Sequence, residues 1–284
     1  MMWLTLSLLC APWPSADLLQ MFPISSSGSR AAARSQVEII GGREAKPHSR
    51  PYMVSFQVGG RHKCGGALVG EQWVLTVAHC FPNISQGPIR AAVGLHRLDK
   101  QHHQHQEFLV KGYFPHPEYD DFSKDNDIML LQLSRKVELN DQVAVLRLPE
   151  RDRRVAPGIV CSVAGWGSLK YNGPPSKALQ EMTLKVIDGR VCNTSRHWNG
   201  EITNSMMCLQ GVKEGSFPCQ GDSGDPVICK NGVLQGLISF SFRGCNDKSK
   251  PPVATAVTKF LPWIRNTMAS PKADYSSSSE NTDY

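Results

Sequence analysis

Three side chains in this sequence have the types that acyl transfer to a hydroxyl needs. Ser223 lies in PCQGDSGDPVIC, residues 218–229, flanked by Gly221 and Gly224. Glycines allow a tight turn and a close approach of substrate backbone. Two backbone N–H groups in such a turn can point at a developing oxyanion. His79 ends the apolar run WVLTVAHC, and Asp127 opens the apolar run DIMLLQL. A serine hydroxyl is a weak nucleophile until a base takes its proton, and a carboxylate holds that base in the right tautomer. Each residue alone has an ordinary reading: a core histidine, an acid capping a turn, an Asp/Gly turn. Taken together, the three types point to nucleophilic hydrolysis.

Such groups come from distant parts of a chain, so rigid elements must bring them together. From Ile39 onward, short runs rich in Val, Ile, Leu and aromatics alternate with turn residues. Examples are YMVSFQV, WVLTVA, IMLLQL, VCSVAGW, DPVIC and VLQGLISFS. Each is of strand length and bounded by turn signals. Long helical periodicity is absent until KFLPWIRNTM, which reads as one closing amphipathic helix with an early proline. The pattern predicts an all-β protein of sandwich or barrel type. A dozen strands exceed one small barrel, so two packed barrels are expected, divided near residues 149–158. A site in the cleft between them can draw groups from both.

The flanks differ in texture. Residues 1–16 are apolar and of signal-peptide length, and residues 17–38 are Ser/Ala/Arg-rich without periodicity. They read as a secretory signal and a pro-segment. Residues 39–268 form the expected catalytic domain, and 269–284 a disordered tail. No later stretch approaches the ~20 apolar residues of a membrane helix.

Of nine cysteines, Cys10 lies in the leader. The eight others form an even set, which in a secreted chain argues for four disulfides. A zinc site would need ligand spacings that are absent, and no metal or cofactor is expected. His102, His103 and His105 in QHHQHQ read as a solvated loop. Asn83 and Asn193 head glycosylation triplets. The formal charge is +6, and the tail from Ala269 carries one lysine against three carboxylates, so the remainder carries +8. No Lys/Arg run of nucleic-acid type appears; a sulfated glycan or a negatively charged storage matrix is the better polyanionic partner, with a solvated basic surface as the plainer reading. RDRR, residues 151–154, is a candidate contact, with a solvated interdomain loop as its plainer reading.

The order AHC, NDIMLL, GDSG, with IIGG, CGGALV, AGWG and a terminal PWI, resembles the chymotrypsin-like serine proteases over residues 39–268. The resemblance implies two six-stranded antiparallel β-barrels with a C-terminal helix. His79 and Asp127 would lie on the first barrel and Ser223 on the second. It implies disulfides Cys64–Cys80, Cys161–Cys229, Cys192–Cys208 and Cys219–Cys245. It makes Ser223 the nucleophile, His79 the base and Asp127 its orienter, with the N–H groups of Gly221 and Ser223 as oxyanion hole. Ser239 would hydrogen-bond Asp127 and start the strand that pairs with substrate. Cleavage before Ile39 would free an ammonium to pair with Asp222. Glu38 precedes that bond, so a trypsin-like activator is not expected; removal of an acidic dipeptide by an exopeptidase fits better. Phe217 would floor the substrate pocket, and Ser241 and Pro252 would wall it, giving an apolar, charge-free, narrowed cavity suited to Met or Leu. Protein substrates, serpin-type inhibitors and a monomeric, cofactor-free enzyme are implied.

Several stretches, among them IIGGREAKPHSRPYMVS, VCNTSRHWNGEIT and KPPVATAVTKFLPWIR, resemble the granzyme branch, granule proteases of cytotoxic lymphocytes. The complement factor D-like branch shares GGREA and AGWG but carries an acid where Phe217 stands. The sequence departs from the family pattern at three places. Val77 and Asp225 replace an expected alanine and glycine, and Phe217 a small pocket residue. Asp225 is expected to be strained if its φ must be positive, and if it is buried its carboxylate must find a partner or shift its pKa. A second reading follows from these departures: a weakened protease homologue that acts as a basic glycan-binding or antimicrobial protein.

Overall fold

The computed structural model describes residues 41–82, 88–99, 105–241, 245, 247 and 249–270. Asn83, Ile39, His102 and His103 lie outside the described residues.

A short strand β1 (Arg43–Glu44) precedes two closed antiparallel barrels. The first comprises β2 (Met53–Val58), β3 (Arg61–Gly70), β4 (Trp73–Thr76), β5 (Arg90–Val93), β6 (Gln106–Pro115) and β7 (Met129–Leu133). It closes in the order β2-β3-β4-β7-β6-β5. The second comprises β8 (Val160–Gly165), β9 (Gln180–Val186), β10 (Met206–Gly211), β11 (Pro226–Cys229), β12 (Val233–Phe240) and β13 (Val253–Ala256). Its circuit runs β9-β10-β13-β12-β11-β8 and closes through β8 on β9, with β1 added beside β9. A short helix α1 (Gly189–Cys192) follows β9. Helix α2 (Leu261–Ala269) ends the domain, with Pro262 in its first turn where no backbone donor is lost.

Alternation along the strands explains the closure. In β9, Gln180, Met182, Leu184 and Val186 are buried while Thr183 and Lys185 are exposed, so every second side chain enters the barrel. The first core gathers Phe56, Leu68, Leu75, Leu130 and Leu131, joined by Phe260 and Ile264 from the C-terminal segment. The second gathers Val163, Leu184, Leu209, Val227 and Ile238. Closure also removes unpaired strand edges.

The four disulfides are Cys64–Cys80, Cys161–Cys229, Cys192–Cys208 and Cys219–Cys245. Two of them bear on the three candidate side chains. Cys64–Cys80 fastens the turn carrying His79 to β3, and Cys219–Cys245 fastens the segment before Ser223 to the segment after β12.

Candidate active site

His79 sits in a single 3-10 turn, Ala78–Cys80, that leaves β4. The turn places the ring at the barrel rim instead of continuing the strand. Val77, the unexpected residue before it, is fully buried in the first core, so its extra methyl groups find contacts there. Asp127 lies just before β7 and is fully buried. Its Oδ1 accepts the His79 backbone N–H at 2.9 Å, and its Oδ2 lies 2.7 Å from His79 Nδ1. The Ser239 hydroxyl also donates to Oδ2, and Thr255 Oγ1 donates to the Asp127 carbonyl at 2.7 Å. The three donors at Oδ1 and Oδ2 keep the buried carboxylate satisfied, as burial requires, and Thr255 holds its backbone. The donors at Oδ2 leave His79 Nε2 as the acceptor, 3.0 Å from Ser223 Oγ. A hydroxyl, a base and an orienting carboxylate thus meet in one line.

Ser223 occupies a turn whose shape depends on two glycines. Gly221 has φ +98° and Gly224 φ +86°. A Cβ on Gly224 would come within 2.3 Å of the Gly65 carbonyl oxygen, so the turn and β3 meet as bare backbone. The Gly65 N–H donates to the Ser223 carbonyl at 2.8 Å, tying the two barrels at the nucleophile. The Asp222 N–H is engaged by the Cys219 carbonyl at 3.0 Å. The neighbouring N–H groups of Gly221 and Ser223 make no backbone hydrogen bond among the described residues, as donors to an incoming oxyanion must.

Sequence reasoning missed one residue here. His62 on β3 reaches the Gly221 carbonyl through Nε2 at 3.0 Å and Ser55 Oγ through Nδ1 at 2.9 Å. Burial lowers its pKa to about 4, so the ring is neutral near pH 7. A neutral ring that donates from Nε2 must accept from Ser55 at Nδ1. The pair fixes the peptide plane beside the oxyanion donors. His62 stands between Arg61 and Lys63 at the polar start of β3, so nothing in the sequence sets it apart. His62→Ala is expected to lower kcat about fivefold, from the loss of one positioning hydrogen bond worth ~1 kcal/mol, with KM little changed. Steady-state kinetics on a peptide substrate check this, and an unchanged kcat would remove His62 from the machinery.

Asp222 is buried and accepts backbone N–H groups from Gly167 and Cys219, each at 2.8 Å. Burial pushes its pKa up to about 6 against the pull of those donors. Asp225 is the anomaly. It is fully buried; no N–H or hydroxyl among the described residues donates to its carboxyl, and its side-chain hydrogen bond is with the buried Asp222 carboxyl, which two acids can share only while one is protonated. Its pKa is raised by burial first and then by the charge of Asp222. The backbone is not the source of the difficulty: Asp225 is absent from the positive-φ residues, so the expectation of a strained φ is corrected, and the buried carboxyl meets its surroundings through an upward shift of its pKa. The carboxyl fills the space above two glycines. An ideal Cβ on Gly65 or on Gly165 would lie 1.7 Å from one of its oxygens.

The remaining candidates spread out. Phe217 and Pro252 are both buried and share a cavity of about 370 Å³ with Ile187, His197 and Leu209. Ser223 and Ser241 are not in its lining; Ser241 is half-buried after β12. Asn193 is half-buried, and its side-chain amide bonds both backbone groups of Ile202 at 2.9 Å. His105 Nε2 lies 3.2 Å from Glu107.

Comparison with known proteins agrees with this geometry. Residues 39–264 match the family model described as Trypsin. Granzyme M of Rattus norvegicus is 46% identical over 233 residues, 82% of this chain and 90% of the relative. Granzyme M of Homo sapiens is 46% identical over 230 residues, 80% and 88% of the two chains. Among solved structures, human heparin binding protein superposes with a TM-score of 0.75 at 31% identity, covering 84% of this chain and all of that one. Mouse neuropsin, a serine protease, gives 0.73 at 34% identity, covering 81% and 100%. Family match, double barrel and the His79–Asp127–Ser223 line converge: the chain belongs to the trypsin family.

Proposed function

We propose that the protein is a serine endopeptidase that works through an acyl-enzyme. The observation that carries the reading is the line Ser223 Oγ, His79 Nε2, His79 Nδ1, Asp127 Oδ2, with contacts of 3.0 and 2.7 Å. Ser223 attacks the peptide carbonyl while His79 takes its proton. The new oxyanion is received by the N–H groups of Gly221 and Ser223. His79, now charged beside Asp127, passes the proton to the leaving amine. Water then repeats the sequence on the acyl-enzyme.

Cleavage before Ile39 activates the chain, and the freed ammonium pairs with Asp222. An acid this buried favours a partner, because an uncompensated buried charge costs several kcal/mol, about 3–5. The likeness to granzyme M supports a secreted enzyme of the cytotoxic granule, made as a glycosylated zymogen and acting in immune defence. Phe217 and Pro252 in place of charged or open pocket residues support cleavage after Met or Leu. One methylene in such a pocket discriminates by only about 1–3 kcal/mol, so the preference is graded.

The test is a serine-directed covalent probe applied before and after processing at Ile39. Stoichiometric label on Ser223 is expected only after processing, with no label on Ser223→Ala. A peptide library on the processed chain is then expected to give Met and Leu before the cut bond. Absence of label on verified processed protein would sink the peptidase reading.

A second reading has its own support. Asp225 burdens the site, the chain outside the tail is strongly basic, and one structural relative is named a heparin binding protein. A sulfated glycan is therefore proposed as a partner, beside protein substrates and serpin-type inhibitors. It does not require the peptidase to be inactive.

A further inference from the structure

The segment joining the two barrels, residues 147–159, forms one wall of a groove of about 760 Å³. The end of β11 and the start of β12 form the other, through Cys229, Lys230, Val233 and Gln235. Arg147, Arg151, Arg153, Arg154 and Lys230 line it, all exposed, and Glu150 is the one carboxylate in the lining. The other acid of the linker, Asp152, is engaged by Lys259 at 2.9 Å. Among the described residues, and leaving Arg147 aside, the groove therefore presents four cations against one anion.

We infer that this groove is a binding site for a sulfated glycan chain, held by Arg151, Arg153, Arg154 and Lys230. The inference deepens the glycan partner proposed above and is independent of peptidase activity.

Three features favour a built site over a scatter of surface charge. The linker backbone is fastened on both sides. Leu234 N donates to the Arg147 carbonyl at 3.1 Å, and Arg265 of α2 donates to the carbonyls of Pro149 and Glu150 at 3.3 and 3.2 Å. Arg154 is held in place by Asn204 Oδ1 at 2.6 Å. Pre-set cations lose less freedom on binding than mobile ones. Second, the cations sit on both walls, so a chain lying in the groove meets charge from two sides. Guanidinium groups suit such a ligand, since each can give two parallel hydrogen bonds to an oxyanion. Third, the floor is aliphatic, with Leu148, Ile159 and Val233, and no aromatic side chain lines it. Single-stranded nucleic acid is gripped largely by base stacking on aromatic rings, which this groove does not offer. Carbohydrate sulfates need only the charge and the hydrogen bonds.

The groove is also remote from the nucleophile. Ser223 precedes β11 and Lys230 follows it. At ~3.3 Å per residue, the four residues of the strand alone separate them by roughly 13 Å. A glycan can occupy the groove while the catalytic line stays open, so binding and hydrolysis are separable by mutation.

The test measures binding of a size-defined heparin fragment across a salt series, on the full processed chain and on its Ser223→Ala form. The groove variant carries Arg151→Ser, Arg153→Ser and Lys230→Ser. The control carries Lys111→Ser, Lys177→Ser and Lys185→Ser, three exposed cations outside the groove, and so the same net charge. The groove variant is expected to bind roughly 10–100-fold more weakly, with a salt slope lower by about one for each cation removed, and the control nearly as wild type. Circular dichroism and melting verify that both fold, and cleavage of a short peptide is expected to be unchanged in both. Equal losses in the two variants, or no loss in the groove variant, would overturn the site. Displacement of the fragment by single-stranded oligonucleotide at equal potency would overturn the glycan assignment. Because binding is read on Ser223→Ala as well, failure of the peptidase reading and failure of this one are distinguishable.

Discussion

Asp127→Asn is expected to lower kcat by about 10⁴-fold in a protein that still folds, the loss the same replacement causes in the family's template enzyme. The geometry explains why so small a change is so costly. Oδ1 faces the His79 backbone N–H, and Oδ2 faces His79 Nδ1 and the Ser239 hydroxyl. An amide has one oxygen and one NH₂ group. If the NH₂ takes the Oδ1 place, it meets a backbone donor that cannot rotate away. The oxygen therefore stays at Oδ1, and the NH₂ faces Nδ1. A donor at Nδ1 forces the ring proton onto Nε2, 3.0 Å from Ser223 Oγ. The nitrogen that must accept the serine proton then already carries one. Rates on a chromogenic peptide check this, with KM expected to change little. A loss below tenfold would mean that Asp127 does not set the tautomer.

Asp225→Gly is expected to stabilise the protein by about 2 kcal/mol at neutral pH and raise Tm by about 4–8 °C. A buried carboxyl that no N–H or hydroxyl serves, and whose one side-chain bond is to a second buried acid, costs ~1–3 kcal/mol, and more when charged. Glycine returns part of that gain, about 0.5–1 kcal/mol, through the freedom of the unfolded chain, since residue 225 does not need positive φ. The effect depends on pH in a defined direction. Burial and the neighbouring Asp222 raise the folded-state pKa of Asp225, and burial raises that of Asp222 to about 6. The folded protein then holds these protons more tightly than the unfolded chain. Stability from them is full below about pH 4 and is lost as pH rises through the folded values. The Tm advantage of Asp225→Gly over wild type should therefore widen from about pH 4 toward neutrality. Melting both proteins across that range is the measurement. An advantage that is constant or shrinks with pH would show that the folded protein does not hold the proton that burial and Asp222 imply. Asp225→Asn, which keeps the volume and removes the charge, should lose the pH dependence but keep part of the instability.

Much of the architecture was legible because strands with one buried face announce themselves by length, branched residues and turn punctuation. WVLTVA and IMLLQL lie on β4 and β7, and DPVIC on β11. The strands that pattern alone passes over are instructive. β3 begins with Arg-His-Lys and is interrupted by Gly65 and Gly66, so neither alternation nor β-branching marks it. Those glycines are required by neighbours: a Cβ on Gly66 would sit 2.7 Å from the Phe56 ring. β10, MMCLQG, has unbranched residues and gains its extended form from pairing with β9 and β13. Tertiary context overrides weak local preference in both. At the site, Ser223, His79 and Asp127 were legible as types, but their meeting came from resemblance, because no spacing in sequence encodes a contact across 144 positions. His62 was illegible for the same reason, since its partner lies in the other barrel.

The two glycines under Asp225 carry a historical consequence. With the carboxyl present, an alanine at position 65 would drive its Cβ to 1.7 Å from Oδ1. With residue 225 reduced to glycine, the next atom of that residue is its Cα at 3.4 Å, an ordinary contact. Gly65→Ala is thus forbidden or tolerable according to what stands 160 positions away. Position 165 has no such release, because Asp222 Oδ1 still lies 2.4 Å from a Cβ there. An aspartate at 225 therefore acts as a ratchet on the lineage that carries it. Once it is fixed, changes at 65 are closed until it reverts, and the order in which substitutions arrive decides which neighbouring sequences can be reached.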